Sequence, residues 1–248
     1  MPYEIQTDVL VVGGGAAGLR AALSAADAGS QVLVVLKDRV SRSGITPLAS
    51  DGIAAAINED DTVKDYYEAS YKIGQGLADT DFIYTLTNDA TDRIRELENY
   101  SAVFRKDEQG KYYHPKRAKG RDGYSCFING GGFQITRVLG KQAHKHPRIR
   151  IAEDVFVLSL VCNDNQVFGA ICLEKYSKKI GIIKAKAIIL CTGGYEELWR
   201  YTDTSTDSTG DGVMLAYRAG AELIDLEMIQ FHPTICIWPA EAKGNFIA

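Results

Sequence analysis

Residues 8–18, Asp8-Val9-Leu10-Val11-Val12-Gly13-Gly14-Gly15-Ala16-Ala17-Gly18, run an apolar, valine-rich strand straight into a glycine turn. Gly13, Gly15 and Gly18 stand at the spacing G-x-G-x-x-G, and each has a physical task. The first glycine permits the tight turn, the second lets backbone approach a pyrophosphate, and the third lets the next helix pack close to the sheet. That helix would aim its unpaired N–H groups and the positive end of its dipole at the phosphates. Alone, such a triplet is weak. Here a small-residue helix, Leu19 to Ala28, and a second strand, Gln31–Leu36, follow it, which is the β-α-β setting of a dinucleotide site.

Outward from that unit, the chain has the composition of an ordinary globular protein. Its 248 residues are 46% hydrophobic and 24% charged, with a formal net charge of −4. Charges of both signs are interspersed, so no polyanion-binding surface is advertised and nucleic acid is not an expected partner. The five cysteines form no C-x-x-C pair, and most sit in apolar runs, which points to free buried thiols and a reducing compartment. No apolar run reaches the roughly 18 residues of a membrane span, and the first strand starts too early to leave room for a signal peptide. We expect no direct membrane insertion and a cytoplasmic location.

Residues 37–56 are rich in hydroxyls and glycine and poor in bulk, as expected of a stretch that lines a ligand. Helices are expected over 61–73 and 79–98. Asp79 would cap the second, with Phe82, Ile83, Leu86, Ala90, Ile94 and Leu97 on its core face. The acidic run Glu59-Asp60-Asp61 is read as capping the first. Residues 104–131 read as an excursion from the main domain, and a helix of about fourteen residues follows from Phe133. Strands are expected at Ile151–Val161, Val167–Glu174 and Ile180–Lys184, forming a meander, and then at Ala187–Cys191. The last is a continuous apolar run, as in a fully buried parallel strand, and it ends in Thr192-Gly193-Gly194. A polar loop leads to Thr209-Gly210-Asp211-Gly212 and a short helix, Val213–Ala219, closing at Gly220.

The expected fold is therefore α/β and Rossmann-like: a parallel sheet with helices on one face and a β-meander on the other. Residues 13–18, 37–52 and 192–194 all fall at the carboxyl ends of parallel strands, where such folds bind ligands.

In order along the chain stand Gly13–Gly18, Arg42-Ser43-Gly44-Ile45-Thr46 with Gly52-Ile53-Ala54-Ala55, Thr192-Gly193-Gly194, Thr209–Gly212 and Gln230-Phe231-His232-Pro233-Thr234. In this combination the chain resembles the flavoprotein subunits of succinate dehydrogenase and fumarate reductase, with L-aspartate oxidase and adenylylsulfate reductase as further members. The resemblance covers nearly the whole chain and is loosest over 104–131. It implies FAD, with the diphosphate on Gly13, Gly14, Gly15, Ala16, Ala17 and Gly18, and the isoalloxazine and its linker along Ser43, Gly44, Thr46 and Gly52. Thr192, Gly193, Gly194 and Asp211 would also touch the cofactor, and Lys37 would face it by charge where many such folds place an acid. His232 matches the family histidine that holds a substrate carboxylate. The implied reaction moves a hydride between flavin N5 and a dicarboxylate.

Departures from the family pattern refine this reading. Covalently flavinylated members carry a histidine before the threonine matching Thr46; Ile45 stands there and has no nucleophile, so non-covalent FAD is expected. The usual Gln-Gly-Gly is here Ser50-Asp51-Gly52. Asp38 is read as surface charge, and Arg218 as a solvated helix-end charge. The family's capping domain, which supplies the proton-transferring arginine, is expected outside residues 1–248, read here as one FAD-binding domain. Iron–sulfur ligand spacing is absent, so a cluster would sit on a partner subunit, which could tie the protein to the inner face of a membrane. L-aspartate oxidase, an adenylylsulfate-reductase-like flavoprotein, and an electron-transfer module inactive without a partner chain remain the alternatives.

Overall fold

The computed structural model describes residues 3–50, 52–114, 123–163, 166–231 and 234–242. In chain order its elements are β1 (Tyr3–Val12), α1 (Ala16–Asp27), β2 (Val32–Val35), β3 (Ile53–Ala54), α2 (Val63–Ile73), α3 (Thr80–Asn99) and β4 (Ser125–Cys126). They continue with α4 (Gly131–Lys145), β5 (Ile149–Ala152), β6 (Val155–Asn163), β7 (Gln166–Glu174), β8 (Ile180–Leu190) and α5 (Asp211–Arg218). The chain divides into two compact units, residues 1–48 with 139–248, and residues 49–138.

The first unit is built on a six-stranded sheet in the order β5-β2-β1-β8-β7-β6. Strands β5, β2, β1 and β8 run parallel, whereas β8, β7 and β6 pair antiparallel. Leu10, Val11 and Val12 of β1 are all buried, as a strand covered on both faces requires. Against one face α1 sets Leu19, Ala22, Leu23 and Ala26, all buried. Toward the other, Leu10, Val12, Leu33 and Val35 share a core with Val155, Ala170, Cys172 and Ile183 of the meander. The expected layers, helix on one side and meander on the other, are what the chain forms.

Two strand assignments change. The run 180–190 is one strand, not two: β8 pairs with β7 over Ile180–Lys184 and with β1 from Gly181 to Leu190. Conversely, the single strand expected over 151–161 is broken at Asp154, whose φ is +58°. Aspartate tolerates that left-handed turn better than most residues. It redirects the chain from β5, parallel to β2, into β6 of the meander.

In the second unit β3 and β4 pair antiparallel and α2 packs on α3. Asp79 caps α3, accepting from the N–H groups of Asp81 and Phe82. The buried stripe of α3 is Ile83, Thr87, Ala90, Ile94 and Leu97, while Phe82 and Leu86 are 77% and 58% exposed. Thr87 takes the inward place because its hydroxyl donates to the Ile83 carbonyl at 2.9 Å and so needs no outside partner. The acidic run does not cap α2 either; the Thr62 hydroxyl does, accepting from Asp65 N–H. Asp61 instead accepts from the N–H groups of Asn58 (2.8 Å) and Ile57 (3.1 Å) and faces His114 Nε2 at 3.0 Å. Asp60 pairs with Lys111 at 2.8 Å. Among the described residues no helix is long and apolar enough to cross a membrane.

Candidate functional site

At the end of β1 the chain turns at Gly13, φ +115°. A Cβ there would fall onto the Cys191 carbonyl, which follows β8, so the turn and the neighbouring strand can coexist only around glycine. The Gly13 N–H donates to the Val35 carbonyl at 2.8 Å, tying the turn to the end of β2. Gly18 meets the same constraint from the helix side: its Cβ would overlap the Gly13 carbonyl. The first turn of α1 therefore lies directly against the glycine turn.

Gly15 is the N-cap of α1 and offers no side chain to the helix, and no acidic residue stands in the first turn. Helix N–H groups left without partners, with no carboxylate to offset the dipole, favour an anion. The Thr46 hydroxyl accepts one of them, Ala16 N–H, at 3.3 Å.

Beyond these strand ends lies a cavity of about 1040 Å³, lined from residues 12–17, 35–38, 43–46, 155–158 and 190–193 and from much of 206–218. That is the upper end of the roughly 300–1,000 Å³ usual for ligand pockets and suits a ligand longer than a mononucleotide. At its rim Lys37 Nζ donates to Asp211 Oδ2 at 2.9 Å and to Thr209 Oγ1 at 2.7 Å. Asp211 is the first residue of α5, where a carboxylate also meets the positive end of the helix dipole. The neighbouring motif packs on the strand end: a Cβ on Gly212 would overlap the Thr192 hydroxyl.

Residues 8–247 match the model of the family described as FAD binding domain. The chain belongs to that family. An uncharacterised FAD-dependent oxidoreductase of Methanocaldococcus jannaschii is 36% identical over 93% of the chain and 42% of that protein. An L-aspartate oxidase of Vibrio cholerae is 32% identical over 98% of the chain and 47% of its own length. One subunit of the CoM/CoB fumarate reductase of Methanothermobacter marburgensis is 30% identical, over 98% and 45%. Among solved structures, the Sdh1 complex of Mycobacterium smegmatis in its apo form superposes with a TM-score of 0.93 at 29% identity, over 99% of this chain and 44% of that one. A chain of E. coli quinol fumarate reductase gives 0.92 at 25% identity, over 99% and 42%. The chain thus spans less than half the length of these relatives.

The residues present in this FAD binding domain fit its cofactor. A diphosphate needs close backbone approach and N–H donors; the turn in which Gly13 and Gly18 admit no Cβ, and the first turn of α1 with no side-chain cap, offer both. Of the residues singled out from sequence, Gly13, Gly14, Gly15, Ala16, Ala17, Lys37, Ser43, Gly44, Thr46, Thr192, Gly193 and Asp211 line one cavity. Gly18 and Gly194 are not among its lining residues. Gly194 accepts from Gly210 N–H at 3.1 Å, fastening the Thr-Gly-Gly turn to the loop before α5. Gly52 belongs to the second unit, where its missing Cβ makes room for the Cys126 carbonyl. His232 lies outside the described residues.

The sequence reading missed Val155-Phe156-Val157-Leu158, which line the cavity from the outer strand of the meander. Val155 N–H leaves the β6–β7 ladder to reach the Leu36 carbonyl at 3.0 Å. An edge-strand amide has no side-chain signature. Asp38 and Arg218, set aside as surface charges, line the cavity as well. Burial raises the Cys191 thiol above its ordinary range, which leaves it an unreactive neighbour of the cradle.

Proposed function

We propose that the chain is the FAD-binding portion of an oxidoreductase of the succinate dehydrogenase and fumarate reductase type, acting on a dicarboxylate. The observation that carries this is the convergence of the glycine cradle, Ser43–Thr46, Thr192-Gly193 and Asp211 on one cavity. These motifs precede Phe231-His232-Pro233-Thr234 in the chain. When bound, FAD supplies two-electron transfer at N5. The chain's own work is to hold it: N–H groups of the glycine turn and α1 at the diphosphate, Ser43, Gly44 and Thr46 along the isoalloxazine and its linker, and Lys37 with Asp211 at a hydroxyl-bearing part of the cofactor. In this reading His232 donates to a substrate carboxylate, as either an imidazole or an imidazolium.

FAD is held non-covalently in this reading. Ile45 lines the cavity next to Thr46 and offers no nucleophile. Residues 1–248 serve together as the FAD-binding part, with 104–131 an excursion from it. The same proposal includes the proton-transferring group, a cytoplasmic site of action peripheral to a membrane, and an iron–sulfur partner that accepts the electrons.

Oxidation of L-aspartate is the second reading, supported by the 32% identity to the V. cholerae enzyme across nearly all of this chain. The test is anaerobic reduction of the purified yellow protein. Bleaching of the flavin band by succinate supports the first reading, and bleaching by aspartate the second. A flavin band that neither substrate bleaches supports a module that depends on another chain for turnover. A colourless protein whose melting ignores added FAD would sink all three. Release of all flavin on acid precipitation is expected, and flavin retained in the pellet would overturn non-covalent binding.

A further inference from the structure

The loop after β2 reaches the cavity through an awkward piece of backbone. Ser41 and Gly44 both lie in the left-handed region, at φ +64° and +78°. A segment with two such residues and little apolar bulk has small intrinsic preference for one conformation, so what fixes it must be its tethers. Among its tethers to surrounding elements, three act on the stretch from Val40 to Thr46. Val40 N–H donates to Glu153 Oε1 at 3.0 Å, Thr46 Oγ1 accepts from Ala16 N–H at 3.3 Å, and Gly44 N–H donates to Asp207 Oδ2 at 3.1 Å.

The third grips the tip of the loop. Asp207 comes from a distant part of the chain, and its position is itself fixed: Ser205 Oγ donates to the same Oδ2 at 3.2 Å and accepts from Asp207 N–H at 3.2 Å. The segment that carries it is anchored directly after Asp207. Ser208, 3% exposed, accepts from Glu197 N–H at 3.0 Å, and Thr209 holds Lys37 at 2.7 Å. Asp207 also lines the cavity, together with Ser43, Gly44 and Thr46.

A carboxylate in a cavity for an anionic diphosphate is a cost, since like charges repel there. What offsets it is the work of one side-chain oxygen, which accepts from the Gly44 N–H and so fixes that amide. We propose that Asp207 is a positioning residue for the cofactor cavity, clasping the Gly44 amide so that the 43–46 loop is set before FAD arrives. This rests on the FAD reading above. Asp207 acts through Gly44, and the charge itself is dispensable as long as an oxygen acceptor remains.

The test compares Asp207→Asn and Asp207→Ala in the full chain by two readouts: the rate of FAD release, and amide hydrogen exchange of residues 40–48 without cofactor. Asparagine keeps an oxygen for Gly44 and Ser205, so release within about twofold of wild type is expected. Alanine keeps none, and release should be about tenfold faster, with Gly44 exchange faster by a similar factor while β1 and α1 amides are unchanged. Ser205→Ala, which removes one of the carboxylate's two side-loop donors, should show the same pattern at two- to threefold and serves if the alanine variant does not fold. Wild-type release and exchange in both Asp207→Ala and Ser205→Ala would overturn the clasp. So would an asparagine variant as impaired as alanine. A wild-type chain that binds no FAD would instead overturn the reading on which the clasp rests, and the exchange result would still stand by itself.

Discussion

Lys37 at the end of β2 and Asp211 at the start of α5 are joined Nζ to Oδ2 at 2.9 Å, across 174 residues of sequence. Many dinucleotide folds place an acid where this chain has Lys37. The ion pair restores a carboxylate to that neighbourhood from another element, with Thr209 Oγ1 accepting from the same ammonium and donating to Asp211 Oδ1 at 3.0 Å. The lysine's third proton and the carboxylate's remaining lone pairs leave one donor and several acceptors for a hydroxyl-bearing ligand.

Removing both partners should therefore cost no more than removing Lys37 alone. Lys37→Ala leaves Asp211 uncompensated beside a cavity for a diphosphate, and the FAD dissociation constant is expected to rise about tenfold. Asp211→Asn should weaken binding less, and the double variant should be no worse than Lys37→Ala alone. Equilibrium titration of flavin fluorescence measures all three. Strictly additive effects would mean that the two side chains do not act as a pair.

Gly18 and Gly193 separate two reasons for glycine. A Cβ at Gly18 would overlap the Gly13 carbonyl, whereas Gly193 has open space but φ +75°. Gly18→Ala must push α1 off the turn and is expected to cost about 1–3 kcal/mol and most of the FAD affinity. Gly193→Ala incurs only the left-handed backbone penalty, about 1–2 kcal/mol, with modest loss of affinity. Thermal melting with and without FAD tells them apart. Equal loss of affinity in both would remove the special role of helix-to-turn contact.

How much of this was legible beforehand follows from what each position needs. The cradle at 13–18 announces itself because close backbone contact permits no Cβ. Its layered setting could be read as well, because β1 ends in a continuous buried apolar run and α1 is buried at a period of about 3.6. The break at Asp154 could not, since one left-handed aspartate inside an apolar run has no periodic signature. Nor could the choice of Thr87 over Leu86 as the inward residue of α3, which rests on a hydroxyl satisfied within its own helix. Val155–Leu158 were hidden for a similar reason: they face the cavity with backbone and apolar atoms, so no residue type marks them. Asp207 lay in a polar loop whose partner, the Gly44 amide, is 163 residues away.

The cysteines should report burial by chemistry. Burial pushes the thiols of Cys126 and Cys172 up to about 12, and raises Cys191 by the same cause. Because the thiolate is the nucleophile, a raised pKa suppresses alkylation at pH 8. Cys162 is exposed and should react first with iodoacetamide. Cys126 and Cys172 should react only after denaturation, and Cys191, on the cavity wall, should be slowed further by FAD. Mass spectrometry of labelled peptides checks the order. Rapid native labelling of Cys172 would mean that the sheet-to-meander core opens.

Acid should loosen the second unit through Glu98. Its Oε1 pairs with Lys106 Nζ at 2.8 Å and its Oε2 accepts from the Tyr112 hydroxyl at 2.5 Å. Burial alone would raise this carboxyl, but the bonds from Lys106 and Tyr112 outweigh it and hold the pKa below the ordinary glutamate range. A folded-state pKa below the unfolded one means that the unfolded chain binds the proton first. The stabilisation is therefore fully present above the ordinary value, about 4.3, and is lost as pH falls through the lower folded value. Glu98→Gln keeps the shape and abolishes the charge, so at pH 7 it should destabilise by about 1 kcal/mol. Comparing unfolding midpoints of wild type and Glu98→Gln from pH 7 down to 3 tests the sign directly. The gap should be constant to about pH 5 and close below about pH 4. A gap that persists unchanged at pH 3 would locate the loss in packing of the side chain and not in its ionisation.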